Sequence, residues 1–221
     1  MTGAASIPMP LPHPAESDAE VPSPAASRAE LEAAAGRAAE EEAASDDALM
    51  CAVRAGRLEA LGPLFDRHHG PLLNFFLRSG MATRAGGEDL VQDVFVRILK
   101  YRASYRPGTR FLSWLYTIAR HAGLDHAQNR RGEVAWDDAF APPVHPGDGA
   151  QSEQEQRLLA RALQRLPPEK REVLVLSRFQ ELSYEQIGEV LGCRPGAVKV
   201  RVHRAVRELR HCYLQLTEEH L

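Results

Sequence analysis

The sequence predicts an all-α protein of two small helical domains joined by a flexible acidic linker, and three observations carry that prediction. Apolar residues recur at three- and four-residue spacing through two stretches, 47–131 and 157–212. The segment between them, 132–156, holds Pro142-Pro143, Pro146 and three glycines, with six acids and no Lys or Arg. A length of 221 residues, 44 % of them hydrophobic, suits one or two small water-soluble cores. No run approaches the ~18 apolar residues of a spanning helix, so no membrane insertion is expected. The start lacks a basic region followed by an apolar core, which speaks against a secretory signal. Cys51, Cys193 and Cys212 are odd in number and show no paired spacing. That pattern fits a reducing cytoplasm and argues against a disulfide frame or a zinc site. The net charge of −3 conceals a strong asymmetry along the chain.

Residues 1–46 carry nine acids against Arg28 and Arg37, a net of −7, with almost no large apolar residues. Such a segment buries too little surface to offset its ordering entropy, and it is predicted to be a disordered acidic tail. Residues 29–44 are rich in Ala and Glu and favour a transient helix. The tail either competes with DNA for basic surfaces or simply solubilises the chain.

From Asp47 to Ser79 the pattern is helical. Asp47 can cap, Gly56 interrupts, and the stripe passes through Leu58, Leu61, Leu64 and Phe65, then Leu72, Leu73, Phe75, Phe76 and Leu77. His68 and His69 are adjacent, point to different helix faces and cannot chelate one metal, so they read as surface or core-edge residues. Residues 79–87 read as a loop. Residues 88–101 (EDLVQDVFVRILKY) form the clearest amphipathic helix. Leu90, Val91, Val94, Phe95, Ile98 and Leu99 face inward; Asp89, Gln92, Asp93, Arg97 and Lys100 face out. Glu88 and Asp89 in the first turn and Lys100 in the last suit the helix dipole. On pattern alone the outer face is merely solvated.

A loop, 102–110, then holds Tyr105 and three arginines, among them Arg106 and Arg110. It feeds a helix over 111–131, in which Trp114 and Tyr116 cannot share one face, so at least one aromatic should be partly exposed. Residues 88–131 hold eight Lys/Arg against four acids. Aromatics interleaved with arginines suit a surface that stacks unpaired bases and holds their phosphates. They suit an aromatic core with solvated arginines equally well. His121, Asp125 and His126 do not converge on one face, and no nucleophile accompanies them.

Beyond the linker, 157–166 is predicted as a helix ended by Pro167-Pro168, and a second runs from Pro168 to Glu181. Then come two short helices and a tight turn. Ser183 and Gln186 make a capping box, Gly192 is a C-cap, and Pro195 suits the first turn of the last helix. There Val198, Val202, Ala205 and Leu209 make an inward stripe, while Lys199, Arg201, Arg204, Arg207 and Arg210 lie off it. A basic outer face on the second helix fits a helix-turn-helix that reads DNA; an ordinary hairpin with a solvated face is the bland alternative. Residues 213–221 are left as a tail.

These motifs carry a family resemblance. EDLVQDVFVRILKY resembles region 2.2 of the extracytoplasmic-function sigma factors of bacterial RNA polymerase. YRPGTRFLSWLYTIARHAGLDHAQNRR resembles their regions 2.3 and 2.4, and LQRLPPEKREVLVLSRFQELSYEQIGEVLGCRPGAVKVRVHRAVREL resembles region 4. The likeness makes 47–131 region 2, 132–156 the linker and 157–212 region 4. It implies a cytoplasmic transcription initiation factor with no catalytic site, metal or cofactor of its own. Its implied partners are core RNA polymerase (the β′ clamp helices and the β flap), promoter DNA and, as in many relatives, an anti-sigma factor. The runner-up is a helix-turn-helix regulator that binds operator DNA without joining the polymerase.

By position, the resemblance gives Asp89, Gln92, Asp93 and Arg97 to polymerase docking. It gives Tyr105, Arg106, Arg110, Trp114, Tyr116, Arg120 and Gln128 to the −10 element, with loop 103–109 taking a flipped base. Extruding a base costs a few kcal/mol, and stacking returns about 1–3 kcal/mol. Arg194, Ala197, Lys199, Val200, Arg201 and Arg204 fall to the −35 element. The linker would run through the RNA exit path, mimicking nucleic-acid charge. The family commonly shows Ser, Thr and Ser at the positions of Arg194, Ala197 and Val200, so its −35 sequence does not transfer; His121 likewise replaces a common Asn.

Overall fold

The computed structural model describes residues 44–129 and 150–219, so the expectations for the acidic tail and for most of the linker lie outside the described residues. Eight α-helices and no strand occur among the described residues.

Helix α1, Asp46–Arg54, starts one residue before the expected cap. Ser45 is the cap, its hydroxyl accepting from the Ala48 N–H at 3.3 Å, and Asp46 and Asp47 sit in the first turn. Helix α2, Leu61–Ser79, runs through Pro71 and ends at Gly80, whose φ of 70° is left-handed. Helix α3, Arg84–Tyr101, begins inside the segment expected to be a loop. The Thr83 hydroxyl accepts from the Gly86 N–H at 3.4 Å and caps it, which moves Glu88 and Asp89 out of the first turn. Its apolar stripe is buried as expected, apart from the half-buried Leu99. Helix α4, Phe111–Asn129, follows a short 3₁₀ turn at Arg102–Ser104.

In the C-terminal half, α5, Ala150–Arg165, starts within the stretch read as linker. The single helix expected from Pro168 to Glu181 is instead α6, Pro168–Leu174, continued by a π-helical turn, Val175–Phe179. Glu181, with φ of 53°, breaks the run. Helix α7, Tyr184–Leu191, carries the predicted capping box and ends at Gly192, φ 64°. Gly188 is required where the hairpin closes, because a Cβ there would lie 2.6 Å from the Cys193 carbonyl oxygen. Helix α8, Pro195–Glu218, extends well into the expected tail.

Met50, Leu64, Leu72, Phe75, Phe76, Ile98 and Leu115 fill the N-terminal core, and Leu166, Leu174, Leu176 and Ile187 the C-terminal one. Each contributes roughly 1.5–3 kcal/mol of burial. The sequence predicts two domains connected only by their linker. In the structure they also pack directly, α4 against α7 and α2 against α6 and the π turn, and one hydrophobic cluster runs through both. Arg78 of α2 lies 4.2 Å over the Phe179 ring at this seam.

Candidate polymerase and nucleic-acid interfaces

Because α3 buries its Leu90–Val94–Ile98 stripe, it presents the opposite side to solvent. Asp89 and Gln92 are exposed, Asp93 is half-buried, and Val96, 62 % exposed, lies among them. Arg97 donates to Asp93 at 2.8 Å and to Asp125 of α4 at 2.7 Å. The four predicted docking residues thus share one face, with an apolar centre and a carboxylate edge that Arg97 holds in register.

The loop before α4 is built on Asp47. That carboxylate accepts from the Tyr105 hydroxyl and, at 3.3 Å, from the Gly108 N–H. Tyr105 is fully buried, between Phe111 and Trp114. Tyr116 is buried against Phe75, and its hydroxyl donates to the Gln180 side chain of the π turn's C-cap. Burial above all pushes both phenols well above their ordinary pKa. These two aromatics were expected at the base-reading surface. The structure corrects that: they are pillars behind it, with no ring face open to a base. Trp114 is the half-exposed aromatic that the helical spacing required.

What reaches the surface is a shallow cavity of about 230 Å³ lined by Arg106, Arg110, Trp114, Ser104, Thr109 and Thr117, together with Ser113 and, from α7, Glu189. Ser113 is 5 % exposed and its hydroxyl has no partner among the described residues. Sequence reasoning missed it, although Arg110, Ser113 and Thr117 follow one another at helical spacing. Arg120, one face further along α4, donates to Glu172 of α6 at 2.9 Å. Glu172 is almost buried, and desolvation raises its carboxyl pKa against the lowering pull of Arg120. Gln128 is exposed near the end of α4.

On α8, Val198, Val202 and Ala205 are buried, and Arg194, Ala197, Lys199, Val200, Arg201 and Arg204 are all exposed. Arg194 occupies the N-cap without making a side-chain cap, the expected consequence of lacking a hydroxyl there. Glu208 on the flank pairs with Lys170 of α6. Among the described residues, no three His, Cys, Asp or Glu side chains gather into a metal site. No helix among them is long and apolar enough to cross a membrane.

Comparison with known proteins follows this division. The family described as Sigma-70 region 2 matches residues 64–133, and that described as Sigma-70, region 4 matches residues 156–209. The RNA polymerase sigma factor CarQ of Myxococcus xanthus is 37 % identical over 169 residues, covering 75 % of this chain and 96 % of the relative. The ECF RNA polymerase sigma factor EcfG of Rhodopseudomonas palustris is 36 % identical over 132 residues, covering 59 % of this chain and 72 % of the relative. Among solved structures, the sigma factor RpoE in complex with the anti-sigma factor NepR from Bartonella quintana is similar, with a TM-score of 0.55 and 25 % identity. That likeness covers 67 % of this chain and 95 % of RpoE.

Proposed function

This chain belongs to the extracytoplasmic-function group of RNA polymerase sigma factors, and from that membership we propose how its faces divide the work of promoter-specific initiation. The outer face of α3 docks on the β′ clamp helices of core polymerase through Asp89, Gln92, Asp93 and Arg97, seating Val96 in the contact. The cavity at the start of α4 receives a base extruded from the −10 element, against Trp114, with Arg106, Arg110 and Arg120 on the backbone and Gln128 further along the strand. Helix α8 enters the major groove at the −35 element, where Lys199, Arg201 and Arg204 supply the positive face and Arg194, Ala197 and Val200 line its N-terminal end. Region 4 also meets the β flap. The chain makes no phosphodiester bond itself; it recognises DNA beside the polymerase, in the cytoplasm, and an anti-sigma protein is its expected regulator.

The observation that carries this reading is the pairing of both family matches, in order, on one chain. A helix-turn-helix regulator acting without polymerase would leave the region 2 half idle. Transcription in vitro with core polymerase and a genomic promoter library tests it. Defined transcript starts sharing two spaced upstream elements are expected; DNA binding by α8 with no initiation would replace this reading with the regulator.

A further inference from the structure

The α4 face that would hold the melted strand is already occupied. Arg120 Nε donates to Glu172 Oε1 at 2.9 Å, and the Tyr116 hydroxyl donates to Gln180. Glu189 of α7 forms a wall of the cavity whose other walls include Arg106, Arg110 and Trp114. One helical turn earlier on α7, Glu185 has its carboxyl pKa lowered by hydrogen bonds from its own backbone N–H and from Ser183, and also by the charge of Arg110. Three carboxylates of α6 and α7 therefore stand before the cations of α4. A carboxylate facing a guanidinium makes the same charge-assisted pairing as a phosphate oxygen. The contrast with α8 is sharp, since Arg194, Lys199, Arg201 and Arg204 have no ion-pair partner among the described residues.

We infer that α6 and α7 form an internal cover, in which Glu172, Glu185 and Glu189 take the places of promoter phosphates on α4 and close the free chain to single-stranded DNA. Resting on the function proposed above, the inference adds that docking on polymerase, with the halves drawn to separate promoter elements, uncovers the site. A site open only a fraction of the time binds more weakly by that fraction. Each contact that holds the cover therefore lowers the strand affinity of the free chain, while leaving the α8 face accessible.

The test uses the full-length chain without polymerase and a labelled single-stranded DNA of about 20 mixed-sequence nucleotides. Trp114 and Trp136 are the only tryptophans, so a Trp136→Phe background makes emission report the cavity alone. Two variants loosen the cover: Glu185→Gln/Glu189→Gln, at exposed positions, and Gln180→Ala, which changes no charge. Glu59→Gln/Glu218→Gln, also exposed, repeats the charge change away from the cavity. Each loosened variant should bind the strand about fivefold tighter, with stronger quenching of Trp114, because one weakened contact raises the open fraction by about that factor. The control pair should stay within about twofold. Equal affinity in Gln180→Ala and the parent, or equal gains in the two glutamine pairs, would overturn the cover. Initiation by the parent chain with core polymerase, alongside unchanged variants, would sink the cover and leave the sigma function standing. Absence of initiation would remove that function, and the cover with it.

Discussion

Helices α4 and α8 both present arginines to DNA, yet they hold them in opposite states. On α8 the cations project from a helix anchored by Val198, Val202 and Ala205, and solvent is their only neighbour of note. On α4, Arg120 is ion-paired, Arg110 shares its surroundings with Glu185 and Glu189, and Tyr105 and Tyr116 are buried beneath. The difference follows from the task. A duplex already has its phosphates arrayed, so a rigid open helix suffices to bind it. A melted strand exists only after base pairs break, and an uncovered stacking site would take any single strand available.

The sharpest way to break this comparison is to ask whether the two halves fold as one. Phe75 is fully buried beneath Tyr116, whose hydroxyl reaches across to Gln180. Phe75→Ala should destabilise the chain by about 3–5 kcal/mol, the usual cost of emptying such a site. If the halves share a core, urea denaturation followed by far-ultraviolet circular dichroism and by Trp114 emission should shift together. A shift in Trp114 emission alone, with the remaining helix melting where it did before, would show the halves to be independent.

Polymerase docking comes next in size. Asp93 lies at the carboxylate edge of the α3 face and pairs with Arg97. Asp93→Arg should weaken association with core polymerase by about a hundredfold or more, since like charges meeting at an interface cost several kcal/mol. Circular dichroism should be unchanged, the position being only half-buried. Undiminished co-purification would move the docking surface off α3.

These elements were not equally legible from sequence. The α7–α8 hairpin was, because Ser183, Gln186, Gly192 and Pro195 act through neighbours within a few residues. The α3 stripe was, because helical period and burial coincide. The early start of α3 was hidden by Gly86-Gly87, which read as loop. Gly87 is there for packing: a Cβ would come within 2.7 Å of Leu73 Cδ1. Tyr105 and Tyr116 looked like base-stacking residues because their partners, Asp47 and Gln180, lie 58 and 64 residues away. No local pattern signals such contacts, nor the π turn that places Gln180. The same blindness hid the seam between the halves, since Glu172 and Glu189 are ordinary exposed-face glutamates when read along their own helices.

Smaller, and confined to the open surface, is the effect expected at Arg201. Arg201→Ala should weaken promoter duplex binding by roughly 1–3 kcal/mol and relax specificity at one position if it reads a base. If it holds a phosphate, it should weaken all sequences alike and reduce the salt slope by about one. Titrations of duplex affinity at three salt concentrations separate the two. The same substitution should leave binding of the free chain to single strands untouched, because α8 lies outside the cover; a parallel loss there would merge the two surfaces that the comparison keeps apart.

The smallest expected change is the most informative about the seam. Burial raises the Glu172 pKa in the fold despite Arg120 beside it, so the ionised carboxylate costs the folded state more than the pair returns. With the folded pKa above the unfolded value, that cost is present at pH 7. It fades as pH falls through the raised pKa and is gone below the unfolded one. Glu172→Gln keeps the shape and drops the charge. It should therefore be neutral to slightly stabilising at pH 7, by less than about 1 kcal/mol, and the parent should gain on the variant as pH falls towards 5. Paired urea midpoints at the two pH values measure it, with the difference between chains cancelling every other carboxylate. A variant markedly less stable at pH 7 would make the Arg120–Glu172 pair a structural tie. The neutral result fits a latch, a charged contact that specifies the closed arrangement while adding little to its stability, and so yields when a polyanion offers Arg120 a better partner.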